Sequence, residues 1–252
     1  NPAYLLGSQV KFPPAIALDN DNRLVIIYGT GDIDDSGRMD DNYIVSVTER
    51  IEFDSGAGKY LGRAYHNWTM CPLANSSTTC LDLDSVASPA DQAMQDGEKL
   101  TGVPIVFNNT AYFSTFVPLA DPSQPCLMGT GRIWGVKYNY VDDSSADDVG
   151  DWAGLDADGL LGGTQLLYQE YPETYIAGVS IIQRPSCFDP SVGSPPTPGL
   201  GGSSQEVFEI VAQVSNSTTG NQADFQQVPT VTLQIPTPPV INYADSWGTV
   251  FE

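Results

Sequence analysis

The sequence contains few of the residues on which most catalytic and zinc-binding sites depend. Its 252 residues include a single histidine, His66, and four cysteines with no CxxC pair, which argues against a zinc site. No Gly-x-Ser-x-Gly motif is present to mark a serine nucleophile. Glycosidases use a pair of carboxylates for catalysis. Carboxylates are so abundant in this chain that no single pair of them indicates a glycosidase site. We therefore expect that the chain is not an enzyme.

Basic residues are also scarce. Ten lysines and arginines stand against 31 aspartates and glutamates, which gives a net charge of −21. Such a surface repels nucleic acid and anionic membranes, so neither is expected as a partner. No run approaches the roughly 18 apolar residues of a membrane-spanning helix. The same charge attracts divalent cations.

The four cysteines are even in number, which is typical of a secreted chain with disulfides. Three pairings are possible, and we favour Cys71 with Cys80 and Cys126 with Cys187. Four reduced, buried thiols are the alternative. The opening residues look like the interior of a longer polypeptide, so we expect a mature or proteolysed fragment.

Short β-rich runs, each bounded by Gly, Pro, Asn or Asp, dominate the chain. They predict an all-β fold, either a propeller or a sandwich, with hairpin turns at 19–22 and 108–109. Residues 89–99 are the only helix candidate. The predicted strands lie at residues 15–18, 23–28, 43–47, 104–107, 111–117, 132–140, 175–182, 207–214 and 228–235.

Two long insertions, at 62–100 and 142–163, interrupt the strand pattern. A Pro-, Gly- and Ser-rich segment at 194–204 has the composition of a linker. It divides the chain into residues 1–193, which hold most strands, and residues 205–252. The latter either complete the fold or form a small appendage.

One acidic loop has the oxygen spacing of a calcium site. Oxygen-bearing side chains fall at loop positions 1, 3, 5 and 9, with a glycine at position 6 that permits the sharp turn. The predicted ligands are Asp32, Asp34, Ser36, the carbonyl of Arg38, and Asp40. Tyr43 stands where an EF-hand has its glutamate. The alternative interpretation is a solvated acidic hairpin.

A second loop repeats this spacing with Asp143, Ser145, Asp147 and Asp151. Asp148 takes the place of the glycine, and the crowded carboxylates repel one another unless solvent or a cation screens them. This loop is a second metal candidate, with a solvated charged loop as the alternative.

Several short stretches, taken in order over residues 11–140, resemble the C-terminal β-propeller of the PilY1 family of type IV pilus-associated assembly factors and adhesins. The stretches are KFPPA at 11–15, LVIIYGTGDI at 24–33, NYIVSVTE at 42–49, KLTGVPIVF at 99–107, AYFSTFVP at 111–118, Cys126 and GTGRIWGV at 129–136.

This resemblance implies four-stranded antiparallel blades with long loop insertions, and residues 1–193 would supply later blades of a propeller longer than this chain. It implies Ca²⁺ in the propeller, export through the periplasm, and a place on the cell surface or the pilus. The implied partners are minor pilins and pilus-tip proteins, and host or abiotic surfaces. Two other functions stay open: a secreted propeller enzyme of carbohydrate-active or quinoprotein type, and a structural subunit of an extracellular filament.

Overall fold

The structure, a computed structural model, describes nine stretches of the chain: residues 9–19, 21–34, 42–72, 94–119, 129–138, 155–156, 165–184, 207–216 and 230–235. Within these stretches every regular element is a β-strand. No helix in the described part is long and apolar enough to cross a membrane. The all-β prediction is thus confirmed.

Fourteen strands are formed within the described residues. Their bounds are β1 Ala15–Leu18, β2 Leu24–Gly29, β3 Ile44–Asp54, β4 Lys59–Met70, β5 Lys99–Leu100, β6 Ile105–Phe107, β7 Thr110–Val117, β8 Thr130–Lys137, β9 Leu155–Asp156, β10 Gln165–Leu166, β11 Tyr168–Tyr171, β12 Thr174–Arg184, β13 Val207–Asn216 and β14 Thr230–Ile235.

The strands form three antiparallel sheets in which neighbours in sequence are mostly neighbours in space. Sheet I has the order β1-β2-β3-β4. Sheet II has the order β11-β8-β7, and both β5 and β6 pair with the other edge of β7. Sheet III has the order β12-β13-β14, and β9 pairs with β10 in a separate small hairpin. Such meanders need only local connections.

Sheet II lies between the other two sheets and is covered on both faces. All eight residues of β7 are buried, as are the six central residues of β8. Phe113 and Trp134 pack against Ile27 of sheet I on one face. Tyr112 packs with Ile176 of sheet III on the other. Burying each large apolar side chain contributes about 1.5–3 kcal/mol, so this two-sided packing supplies much of the stability.

Glycines allow sheet III to approach sheet II closely. A Cβ atom at Gly131 would lie 2.8 Å from Cγ1 of Ile176 and from the carbonyl oxygen of Thr174. A Cβ atom at Gly102 would lie 2.6 Å from Cα of Gly178, which itself has a φ of +115°. Side chains at these positions would force the sheets apart.

The two predicted hairpin turns are confirmed. Asn108 and Asn109 both have positive φ, at 47° and 59°, and connect β6 to β7 in a two-residue turn. Asparagine tolerates this left-handed conformation, which matches the twist of the flanking strands. In the β1–β2 turn, Oδ1 of Asp19 accepts hydrogen bonds from the backbone N–H groups of Asp21 and Arg23 at 2.9 and 2.7 Å.

Each of the nine predicted strands has a counterpart, although the ends differ by a few residues. Two predictions were wrong. The predicted insertion at 62–100 begins as strand, because residues 62–70 complete β4 and pair along their length with β3. The helix predicted at 89–99 is absent from its described end, where residues 94–98 form a turn and β5 follows.

Strand β12 precedes the linker-like segment 194–204, and β13 follows it. These two strands pair over nine residue partners, from Thr174 opposite Asn216 to Arg184 opposite Val207. The segment itself lies outside the described residues. Residues 207–216 are therefore joined by hydrogen bonds to the part of the chain that comes before the segment.

We expect Gly131→Ala to destabilise the protein, because the added methyl group meets Ile176 and the Thr174 carbonyl across the sheet II–sheet III contact. Overpacking of this kind costs about 1–3 kcal/mol. The free energy of unfolding, measured by urea denaturation, should fall by that amount. Gly56→Ala is the matched control, since a Cβ there approaches only Oδ1 of Asp54, at 3.3 Å. Equal midpoints for the two variants would contradict this account of the packing.

Candidate metal centre

The first predicted calcium loop follows directly from β2. The backbone N–H of Thr30 donates to the carbonyl of Tyr43, and that of Gly31 donates to the carbonyl of Gln9. These bonds hold the start of the loop against sheet I and the N-terminal segment. Oδ1 of Asp32 accepts a hydrogen bond of 3.1 Å from the backbone N–H of Asp34, which closes a tight turn.

The carboxylates of Asp32 and Asp34 converge on one positive group, the ammonium of Lys11. Nζ of Lys11 lies 3.2 Å from Oδ1 of Asp32 and 3.0 Å from Oδ2 of Asp34. A second ammonium comes close, because Nζ of Lys99 donates to the carbonyl oxygen of Asp32 at 3.3 Å. The structure thus places two predicted ligands around a cation that the chain itself supplies.

These contacts favour the charged forms of the groups. The hydrogen bond from Lys11 lowers the pKa of Asp32. Hydrogen bonds to Asp34 and then to Asp32 raise the pKa of Lys11. Lys11 and Asp32 are therefore both charged at neutral pH, and the Asp32 carboxylate needs no deprotonation before it can bind a metal.

The described part of the loop fits a hard divalent cation in its donor chemistry. Carboxylate oxygens that meet at one centre are what Ca²⁺ prefers. The ammonium of Lys11 occupies the same electrostatic position, so a metal would have to displace it. Calcium would be held here by Asp32, Asp34, Ser36, the carbonyl of Arg38 and Asp40, and it would cross-link the loop.

The other predicted ligands cannot be placed. Ser36, Arg38 and Asp40 lie outside the described residues, as does the whole second loop with Asp143, Ser145, Asp147 and Asp151. Among the residues that are described, no three His, Cys, Asp or Glu side chains are arranged to share a metal ion. Both metal sites remain predictions.

One of the four cysteines can be described. Cys71 follows β4, forms a disulfide and is buried against Tyr43 and Val45 on the outer face of sheet I. Cys80, Cys126 and Cys187 lie outside the described residues. The favoured pairing of Cys71 with Cys80 stays a prediction.

A buried ionic cluster in sheet II was not found from the sequence. Glu98 has no exposed side-chain surface, and Arg132, on β8, is only 2% exposed. Oε2 of Glu98 accepts hydrogen bonds from NH1 of Arg132 at 3.0 Å and from the backbone N–H of Gln95 at 2.7 Å. Oε1 accepts from the hydroxyl of Thr115 and from Nε1 of Trp134 at 3.2 Å.

Each nitrogen of the Arg132 guanidinium donates a hydrogen bond. Its Nε donates to Oε1 of Glu170 on β11 at 2.8 Å, and NH2 donates to the same oxygen. Its Cζ lies 4.4 Å from the ring centroid of Tyr168, within cation–π range. The cluster joins the turn before β5 to β7, β8 and β11.

Burial raises the pKa of Glu98, and the Arg132 guanidinium opposes that shift. With four hydrogen bonds to its two oxygens, the carboxylate has no open acceptor position for a substrate. We therefore interpret the cluster as structural: it holds the turn before β5 and the three strands together. A sequence signal did exist: Arg132 stands inside an apolar strand, where a charge requires a partner.

His66 lies on β4. Its side chain contacts Thr69 on the same strand, and partial burial lowers its pKa. Within the described stretches it belongs to no group of three His, Cys, Asp or Glu side chains that could hold a metal ion.

Comparisons with known proteins add no family to this description. No family model matches the chain, and neither a curated protein nor a solved structure is significantly similar to it.

We expect Arg132→Met to destabilise the protein by about 3–5 kcal/mol at pH 7, because it leaves the Glu98 carboxylate buried without a cation. The pKa of Glu98 in the folded state would then rise further above its unfolded value. Stability should therefore be greatest at low pH and fall as pH rises toward that folded-state pKa. Urea denaturation between pH 4 and 7 measures this slope.

The double variant Glu98→Gln/Arg132→Met is the control, since it removes both charges. Its stability relative to the native chain should vary less with pH than that of the single variant. An equal slope in both variants would show that Arg132 does not compensate the Glu98 charge.

Proposed function

We propose that this chain is part of an extracellular β-propeller of the PilY1 kind and supports type IV pilus assembly and surface adhesion through protein–protein contacts. One observation carries the proposal: three antiparallel meanders follow one another along the chain and stack face to face. Successive propeller blades have this arrangement.

The details of the sheets agree with this interpretation. Sheet I is a complete four-stranded meander. In sheet II, β5 and β6 share one edge of β7, so the sheet also has four strand positions. Sheet III has three described strands. The family-like stretches at 24–33, 42–49, 111–118 and 129–136 fall on β2, β3, β7 and β8, which are core strands of sheets I and II.

A binding role suits the distribution of polar groups better than catalysis does. Two densely connected polar clusters among the described residues, one around Glu98 and Arg132 and one around Asn67, Ser46 and Thr48, are buried and hydrogen bonded within the protein. The outer surface combines strong negative charge with exposed apolar side chains, such as Ile16 and Ile51. Exposed apolar groups of this kind mark contact surfaces when they cluster.

The proposal includes Ca²⁺ as a rigidifying ligand of the loop that begins at Asp32. Asp143, Ser145, Asp147 and Asp151 form the second proposed site. In the first site, binding would replace the Lys11 ammonium with a doubly charged ion. The loop would then be fixed relative to β2 and β3.

We expect deletion of the encoding gene to reduce surface pili, counted by electron microscopy, and to reduce attachment of cells to a surface. Reintroduction of the intact gene should restore both. The purified protein should also retain minor pilins from the same cells on an affinity column. Normal piliation and attachment in the deletion strain would contradict the proposed function.

We expect isothermal titration calorimetry to detect saturable calcium binding that Asp32→Asn weakens by at least about tenfold, since a carboxylate ligand is lost. Lys11→Met should bind calcium more tightly, because no ammonium competes for the two carboxylates.

Asp21→Asn is the matched control: Asp21 is an exposed aspartate near the same sheet, and it pairs with Arg23 at 2.6 Å. If Asp21→Asn changes the affinity as much as Asp32→Asn does, or if neither the native chain nor Lys11→Met binds calcium, the metal proposal is wrong.

A further inference from the structure

Strand β3 extends beyond the strand that pairs with it on one side. Its pairing with β2 ends at Thr48 opposite Val25, whereas its pairing with β4 continues to Asp54 opposite Lys59. Residues 49–54 therefore pair on one side only, as far as the described strands show. We call this backbone the β3 edge. A strand edge of this kind offers unpaired N–H and C=O groups to another chain.

A groove of about 560 Å³ runs beside this edge. It lies where the end of β1 and the start of β2 approach β3, and its apolar lining is formed by Leu18, Leu24 and Ile51. Arg50 and Glu52 also line it. Such a volume admits a few side chains of a peptide that lies along the edge.

The side chains next to the β3 edge present an apolar surface. Ile51 is 71% exposed, and Phe53, on the same face of the strand, is 58% exposed. Tyr60, on β4, lies opposite Phe53 and is 72% exposed. The rings of Tyr60 and Phe53 make an edge-on contact, with 5.2 Å between their centroids. Single exposed apolar residues are ordinary, but a contiguous row beside an open strand edge favours a contact surface.

Arg50 also lines this groove. Its side chain lies on the face of β3 opposite to Ile51 and Phe53, because successive side chains of a strand point to opposite faces. Its guanidinium stacks over the ring of Tyr65, with Cζ 4.5 Å from the centroid. Its Nε is buried and has no hydrogen-bond acceptor among the residues that the structure describes.

We propose that the β3 edge, residues 49–54, is a docking site for an extended, basic strand of a partner protein, which would add to sheet I beside β3. This is β-strand addition, in which backbone hydrogen bonds give affinity and alternate side chains give specificity. The partner's apolar side chains would face Ile51 and Phe53 and enter the groove.

The negative charge of the β3 edge and of the whole chain favours a basic partner and disfavours a second copy of this chain. The edge carries three acidic residues, Glu49, Glu52 and Asp54, against one basic residue, Arg50. Arg63 on β4 lies 4.0 Å from both Glu52 and Asp54, and each chain carries a net charge of −21. Two such edges would repel each other. Charged residues on the edge strands of natural sheets prevent edge-to-edge pairing in the same way. A lysine- or arginine-bearing strand would be attracted instead. The proposal concerns the mode of contact and does not depend on the partner being a pilin.

The test uses a fluorescently labelled peptide of twelve residues in which valine and lysine alternate. Fluorescence anisotropy should show saturable binding to the full chain, and hydrogen exchange should slow at the amides of residues 49–54. Ile51→Lys should weaken binding by about tenfold or more, which corresponds to about 1.4 kcal/mol. Val103→Lys is the control, because it adds the same charge at another exposed apolar position between β5 and β6.

A second peptide separates strand addition from simple attraction between opposite charges. It carries the same side chains, but the backbone nitrogens of two adjacent central residues are methylated, so that neither of its edges can pair through the centre. It should bind about tenfold more weakly. Equal binding of the two peptides, equal effects of Ile51→Lys and Val103→Lys, or no binding at all would overturn the proposal. Dimers that protect residues 49–54 without peptide would overturn it in favour of a second copy.

Discussion

The burial of sheet II between sheets I and III is the constraint on which the rest of the structure depends. Because β7 has no exposed residue, each of its side chains must be apolar or fully hydrogen bonded. The charge of Arg132 is tolerated in the adjacent strand because Glu98 and Glu170 both accept hydrogen bonds from it. The glycines at 102, 131 and 178 serve the same constraint, since they let two backbones approach where side chains would separate them.

Sheet I is under a weaker constraint, and this explains why exposed apolar side chains concentrate on it. Its inner face packs on sheet II, whereas only part of its outer face is covered, around Tyr43, Val45 and Cys71. The remainder carries exposed apolar residues. Net negative charge keeps identical chains apart while these apolar positions stay accessible.

The features of this fold that could be predicted are those that depend on residues close together in the sequence. Asn108-Asn109 between two apolar runs specified a hairpin because both residues adopt positive φ readily. The outer half of the β3–β4 hairpin was missed, although residues 50–54 alternate charged and apolar side chains as a half-exposed strand does. In the candidate site, loop spacing identified Asp32 and Asp34. It did not identify Lys11, which comes from a separate segment, nor the link from Glu98 to Arg132, which only the pairing of β5, β7 and β8 creates.

The contact between Lys11 and the Asp32 loop changes how calcium binding should be understood. A loop of free carboxylates would gain order from the ion alone. In this chain the loop already has an internal counter-ion, and the backbone bond from Gly31 to Gln9 anchors the lysine-bearing segment independently of its side chain. An incoming ion would therefore displace an ammonium without releasing the backbone. At the proposed calcium site the net affinity would be a difference between two ionic interactions, so the side chain of Lys11 would set the calcium concentration at which the loop responds.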